Sequence, residues 1–170
     1  MALARVLKDM MLFNAANAYK GDAKTVTLPK LTRKLEGYRG AGMGGTAKID
    51  MGLGDDLDLE FTCHSPMRDV LRQFGMLRID GVGLRFAGAY QNDETGEVDA
   101  IEVTVRGRHE EIDMGDAEVG TMGEFKVKSA LVYYKLDWNG RTEIEIDLLA
   151  GIEIVDGVDL RADIRAAIGV

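Results

Sequence analysis

Cysteine, proline, tryptophan and histidine are all scarce in this chain. It has one Cys, two Pro, one Trp and two His in 170 residues. A lone cysteine, Cys63, excludes an internal disulfide, is consistent with a reducing compartment, and leaves the fold to close on its own core. A single domain of this length can do so, since it buries roughly 70 % of the surface its unfolded chain exposes. No apolar run approaches the ~18 residues of a membrane helix. The start, MALARVLKD, is interrupted by Arg5, Lys8 and Asp9 before a signal-peptide core can form, which predicts a soluble, cytoplasmic chain without membrane binding. Basic residues are scarce in one half only. Residues 1–90 carry 13 Lys and Arg against 10 Asp and Glu, whereas residues 91–170 carry 8 against 19. That acidic second half argues against ordinary nucleic-acid binding, which depends on cations neutralising phosphates. It permits the basic segment of one copy to meet the acidic segment of another, head to tail.

Glycine, by contrast, is plentiful. In RGAGMGGTAKIDMG, residues 39–52, Gly40, Gly42 and Gly45 match the dinucleotide spacing G-x-G-x-x-G. A phosphate site needs a buried strand before the glycines and a helix after them. Residues 30–39 are too charged for a buried central strand. Ala47, Ile49, Met51 and Leu53 alternate with Lys48, Asp50 and Gly52 at the period of a half-buried strand, where a helix would have to start. The stretch is read as a glycine loop joining two strands.

Alternation recurs along the chain. Leu57, Leu59, Phe61 and Cys63 form one such set, Val82, Leu84 and Phe86 a second, and Ile101, Val103 and Val105 a third. Asn92–Gly96 is a polar turn suited to join residues 82–91 and 97–106 as a hairpin. Asn139-Gly140 accepts the two positive-φ positions of a type I′ turn between residues 126–137 and 142–148. In that second strand Ile144, Ile146 and Leu148 oppose Glu143, Glu145 and Asp147, which predicts a carboxylate row on one face. Ser65 as cap, Pro66 at the first helical position and the stripe Met67, Val70, Leu71, Phe74 predict a helix over about residues 66–74. A shorter C-terminal helix is predicted from Asp159 onward, with Leu160, Ile164, Ala167 and Ile168 on one side. The fold class is mainly β, a sandwich or barrel-like domain spanning residues 1–170, covered on one side by helix.

Signals for chemistry are sparse. Cys63 and His64 are adjacent on a strand and point to opposite faces, so the imidazole is poorly placed to activate the sulfur. Cys63 belongs with Leu59 and Phe61 in the core. His109 alone makes neither a triad nor a histidine pair for zinc. Asp55, Asp56, Asp58 and Glu60 lack the EF-hand order, and no carboxylate pair is singled out for sugar hydrolysis. No catalytic residue, cofactor or metal is expected, and an enzyme would have only a displaced glycine signature and scattered carboxylates behind it.

The stretches RVLKDMMLFN (5–14), VTLPKLTRKLEGYRGAGM (26–43), LRFAGAYQ (84–91), VRGRHEEIDMGDAEVG (105–120), YYKL (133–136) and EIEIDLLAGIEIVDGVD (143–159) resemble, in order and nearly end to end, the major tail tube proteins of contractile phage tails and the related R-type pyocins. The chain departs from that pattern at Ala15-Ala16, where a more polar Asp-Gly-like turn is usual, and at Cys63–Pro66, where glycines usually precede the helix. The resemblance implies a β-sandwich or barrel-like subunit assembled as homo-hexameric rings. The rings stack into a rigid tube inside a sheath, with baseplate and tape-measure partners. It implies a structural virion protein in a tail assembled in the host cytoplasm, without catalysis, whose bore passes DNA without specific binding. The alternative is the tube of a DNA-free particle, an R-type pyocin or a secretion-like system. An extended inter-ring loop is expected near residues 37–56, including Arg39, Gly40, Gly42, Gly44, Gly45 and Lys48. Glu143, Glu145 and Asp147 are expected to face the lumen, where carboxylates repel DNA and let it slide. The segment holding Lys20, Lys24, Lys30, Arg33, Lys34 and Arg39 is expected to meet an acidic surface of the adjacent ring.

Overall fold

The computed structural model describes residues 2–15 and 17–170. The alternating segments form strands, in chain order β1 (Arg5–Asn14), β2 (Asn17–Ala18), β3 (Ala23–Thr27), β4 (Arg33–Tyr38), β5 (Ala47–Leu53) and β6 (Asp58–Cys63). The short helix α1 (Arg68–Gln73) follows. Then come β7 (Val82–Asn92), β8 (Val98–Asp113), β9 (Phe125–Trp138), β10 (Arg141–Asp147), β11 (Ile152–Val155) and β12 (Val158–Asp159), and the chain closes with α2 (Ala162–Ile168). Both expected hairpins are present. β7 and β8 pair from Val82↔Gly107 to Gln91↔Val98, and β9 and β10 meet at Trp138↔Arg141 across Asn139 (φ 49°) and Gly140 (φ 83°).

One sheet runs β12-β11-β10-β9-β8-β7-β1-β2, and β9 also carries a branch in which β6 pairs with β9 and β3 with β6. The branching strand explains the shape. Residues 125–130 of β9 pair with β6 and residues 133–138 pair with β10, while β8 follows β9 along its other edge. β8 slips register at Arg106/Gly107, where it passes from one layer to the other. A Cβ on Gly107 would stand 2.0 Å from the carbonyl oxygen of Ala130, so only glycine allows the two strands to approach there. The result is a pair of sandwich-like layers and not the closed barrel that remained open from sequence. Leu12, Leu84, Phe86, Val103, Val105 and Ile146 meet Leu59, Phe61, Cys63, Phe125 and Val127 in one core.

Both helices depart from expectation. Ser65 does not cap α1. Its hydroxyl donates to Asp22 Oδ1 at 2.7 Å, and the cap position falls to Met67 without a side-chain hydrogen bond. Of the expected stripe, Val70 is fully buried and Met67 packs on the core, but Leu71 and Phe74 are exposed. Six residues make under two turns, too short for a helical stripe to lie flat on a sheet. α2 begins at Ala162, and Leu160, Ile164 and Ile168 face outward. Polar contacts hold it: Arg161 Nε and Arg165 Nη1 donate to Gly151 O at 3.2 and 3.0 Å, and Arg165 pairs with Asp159. Among the described residues no helix is long and apolar enough to cross a membrane. Ala15 stands at φ 53°, in the left-handed region that explains the usual Asp-Gly-like residues there; Ala16 lies outside the described residues.

Candidate assembly surfaces

The glycine stretch is the tip of an arm. β4 and β5 pair only with each other, from Arg33↔Leu53 to Tyr38↔Ala47. Residues 39–46 close the hairpin, with Met43 N–H donating to Gly40 O at 3.2 Å and Gly42 at φ 84°. Around Gly42, Gly44 and Gly45 lies open space, and the antiparallel hairpin supplies no helix start for a phosphate. The alternation in residues 47–53 does encode a strand, but not a half-buried one. The register puts Tyr38, Ala47, Ile49 and Met51 on one face of the arm, and Ile49 and Met51 are 48 % and 54 % exposed. Lys34 pairs with Glu36 at 3.6 Å, whereas Arg39 and Lys48 have no ion-pair partner among the described residues.

The arm's root is fixed. Gly54 N–H donates to Thr32 O and Asp55 N–H to Thr32 Oγ1, both at 2.8 Å. Arg33 bridges Asp50 of β5, at 3.1 Å, and the buried carboxylate of Glu153 on β11. A buried carboxylate needs a cation, so this pair ties the arm to the body. Of the basic segment expected to reach a neighbour, Arg33 and Lys34 are thus occupied within the chain itself, as is Lys24 with Glu124 at 2.9 Å.

α1 is pinned by a buried polar network. Gln73 Nε2 donates to Asn14 Oδ1 at 2.9 Å, while Gln73 Oε1 accepts from Asn14 Nδ2 at 2.7 Å and from His109 Nε2 at 3.0 Å. Because that amide oxygen only accepts, His109 carries its proton on Nε2, and Nδ1 accepts from Ser129 Oγ at 2.9 Å. Tyr19 Oη accepts from Asn14 and donates to Asp69 Oδ2 at 2.6 Å. Burial holds His109 down at about 4, neutral at ordinary pH, and pushes the Cys63 thiol up to about 11. Cys63 therefore sits in the core, as its alternation implied, and is no thiolate. The network leaves Leu71, Phe74, Leu77 and Ile79 as an outward apolar patch.

At the far end of β6 from the arm, the connection from β8 to β9 forms a groove against His64 and Pro66, lined by Met114, Asp116, Glu118, Val119 and Phe125. Residues 110–124 hold six carboxylates and no Lys or Arg. Lys24 and Lys126 hold the Glu124 carboxyl below its usual range, but Asp116 and Glu118 have no ion-pair partner among the described residues.

The carboxylate row expected on β10 is divided. Between Thr142 and Ile144 the pairing with β9 skips a residue, so Glu143 occupies a bulge, 3.9 Å from Arg141. Glu145 and Asp147 do share the wet face of the large sheet. Glu145 accepts from Tyr133 Oη at 2.8 Å, and burial with this carboxylate pushes Tyr133 up to about 12. Asp147 accepts the Leu149 and Ala150 N–H groups, both at 3.1 Å. The face is not an anionic wall. One register row runs Phe13↔Arg85↔Thr104↔Lys135↔Glu145↔Ile154 across six strands. Arg85 pairs with Glu102 and stacks 4.0 Å over Phe13, Lys135 lies 3.7 Å from Asp137, and Arg106 stacks 4.0 Å over Tyr133. Among the described residues no group of three or more His, Cys, Asp or Glu side chains could hold a metal ion.

The apolar arm, the helix flank and the C-terminal residues are thus left uncovered in the single chain, and residues 4–169 match the family of phage tail tube protein FII. The chain belongs to that family. Its members are structural virion proteins of phage tails. The tail tube protein of Escherichia phage P2 is 46 % identical over 171 residues, covering 99 % of each chain. The major tail tube protein of Serratia phage KSP20 is 36 % identical over 173 residues, covering 99 % of this chain and 98 % of that one. The fold is shared with a chain of the sheath-tube complex of the extracellular contractile injection system PVC, with a TM-score of 0.56 at 8 % identity, over 75 % of this chain and 87 % of that one. It is shared equally with a chain of the anti-feeding prophage baseplate, at 0.56 and 12 % identity, over 81 % and 97 %. For this tube family member, sequence reasoning located the arm's tip and its apolar alternation but took that face for half-buried, and it missed the patch beside α1 and the groove at residues 114–125. The groove did carry a signal, since Val119 and Met122 are apolar residues in a glycine-rich acidic stretch that fits neither periodicity.

Proposed function

We propose that this chain assembles as homo-hexameric rings that stack head to tail into the inner tube of a contractile tail. The tube would be enclosed by sheath, seated on a baseplate, filled by a tape-measure protein before ejection, and free of catalysis. The observation that carries this reading is the match to the P2 and KSP20 tail tube proteins over nearly the whole chain. The uncovered arm supports it, because an isolated subunit gains nothing from an apolar hairpin held in water. The arm, with the loop near residues 37–56, serves as the inter-ring element.

The wet face of the large sheet lines the bore, with Glu145 and Asp147 in it and Glu143 at its margin. Roughly four strands from each of six copies would give a barrel of about 24 strands, wider than porins that already hold a water channel. DNA slides along this surface for a different reason from a uniformly acidic lining. Arg85, Arg106 and Lys135 are each paired with a carboxylate or stacked on a ring, so few free cations remain to displace counterions from phosphates. Glu145→Lys with Asp147→Lys should leave rods intact and slow genome ejection; unchanged ejection kinetics would reject this lining. Negative-stain microscopy of the purified protein tests the tube itself, with hollow rods expected. Particles that contain the tube yet package no DNA would favour the DNA-free alternative.

A further inference from the structure

The arm and the acidic groove lie at opposite ends of one strand. β6 starts at the arm's root, four residues after Gly54, and ends at Cys63, which pairs with Phe125 at the groove. Its six residues set the two features about 17 Å apart along the strand. Two surfaces at opposite ends of a subunit cannot meet within one copy, and between copies they make a heterologous contact that repeats without closing.

Their chemistry is complementary. The arm offers Tyr38, Ile49 and Met51 on one face, with the unpaired cation Arg39 next to Tyr38 at the tip and the unpaired Lys48 on the opposite face, one residue from the strip. The groove offers the exposed Met114 and Val119 beside the buried Phe125, with the unpaired carboxylates Asp116 and Glu118. An apolar strip against an apolar floor removes both from water, while ionic contacts at the rim fix register and partner. Val119 is wholly exposed in the single subunit, which leaves it free to be covered by a second copy.

We propose that the arm of one copy lies in the groove between residues 114–125 and His64–Pro66 of the next, and that this contact joins one ring to its neighbour. The pairing rests on the ring-and-stack reading above and names its acceptor. Lys20 and Lys30 play no part in it, and Lys24 instead helps hold the groove's rim through Glu124.

Reciprocal charge reversal tests the pairing. Arg39→Glu with Lys48→Glu, and separately Asp116→Lys with Glu118→Lys, should each abolish rods and leave ring-sized particles in sedimentation and negative stain. All four changes in one chain should restore rods. As a second measure, Met51→Cys with Val119→Cys in one chain should give an oxidised ladder of linked subunits on a denaturing gel, because buried Cys63 stays silent. Wild-type protein that forms neither rings nor rods would overturn the tube reading and this pairing together. Wild-type rods alongside rods of normal length from the groove variant, or rods without a ladder, would overturn the pairing alone.

Discussion

The body and the arm are written in the same alternating code and come to opposite ends. In β6, Leu59, Phe61 and Cys63 alternate with Glu60 and Thr62 and are almost wholly buried. In β5, Ala47, Ile49 and Met51 alternate with Lys48 and Asp50 and are exposed. The pattern specifies a strand with one apolar face, and whether that face is covered depends on what lies over it. In the body the second layer covers it; in the arm nothing among the described residues does. The arm is ordered by its own ladder and by Arg33 at its root, so the contact proposed for it would leave little ordering to be done on binding.

The sharpest way to break the contrast is to truncate matching positions. Phe61→Ala removes a buried ring and should cost the body about 4 kcal/mol, seen as a lower urea midpoint. A change no greater than for a surface residue would mean that the layers do not share one core.

The buried network beside α1 gives a smaller effect, dependent on pH. His109 has a folded-state value of about 4 against 6.5 when unfolded, so below pH 6.5 the unfolded chain binds more protons. Stability is therefore full above pH 6.5 and falls as the pH drops towards 4, by up to about 3 kcal/mol. Denaturant melts across that window check it, and His109→Gln should flatten the dependence. Asp69 opposes the shift, while the ring's hydrogen-bond partners, Gln73 and Ser129, and Phe61 at its edge are neutral.

The smallest effect on stability is expected in the arm. Ile49→Ala or Met51→Ala should change the unfolding free energy by less than about 0.5 kcal/mol. The concentration at which rods appear should nevertheless rise roughly tenfold, the equivalent of about 1.4 kcal/mol at the interface. A large loss of subunit stability with unchanged assembly would reverse the comparison between arm and body.

Much of the body was legible beforehand because its rules are local. Asn139-Gly140 selects one turn, alternation places Leu84 and Phe86 inward, and Cys63 falls among apolar neighbours on its own strand. The failures share a cause as well. Leu71, Phe74, Leu160 and Ile164 looked like core because a stripe records amphipathicity and not what covers it. Glu143 seemed to continue a carboxylate row because a bulge depends on the partner strand. The His109–Gln73–Asn14 network joins residues from β8, α1 and β1, and no local pattern announces such a meeting.

By itself, then, the sequence determined the alternating strands, their polar and apolar sides, the two tight turns, the absence of a disulfide and, through its resemblance, the tail tube family. Only the tertiary structure decided that β9 would serve two layers, that Gly107 marks the crossing, and that an apolar hairpin and an acidic groove stand at opposite ends of β6. Periodicity is fixed by the geometry of a few neighbouring residues, whereas coverage and placement are set by segments far apart in the chain.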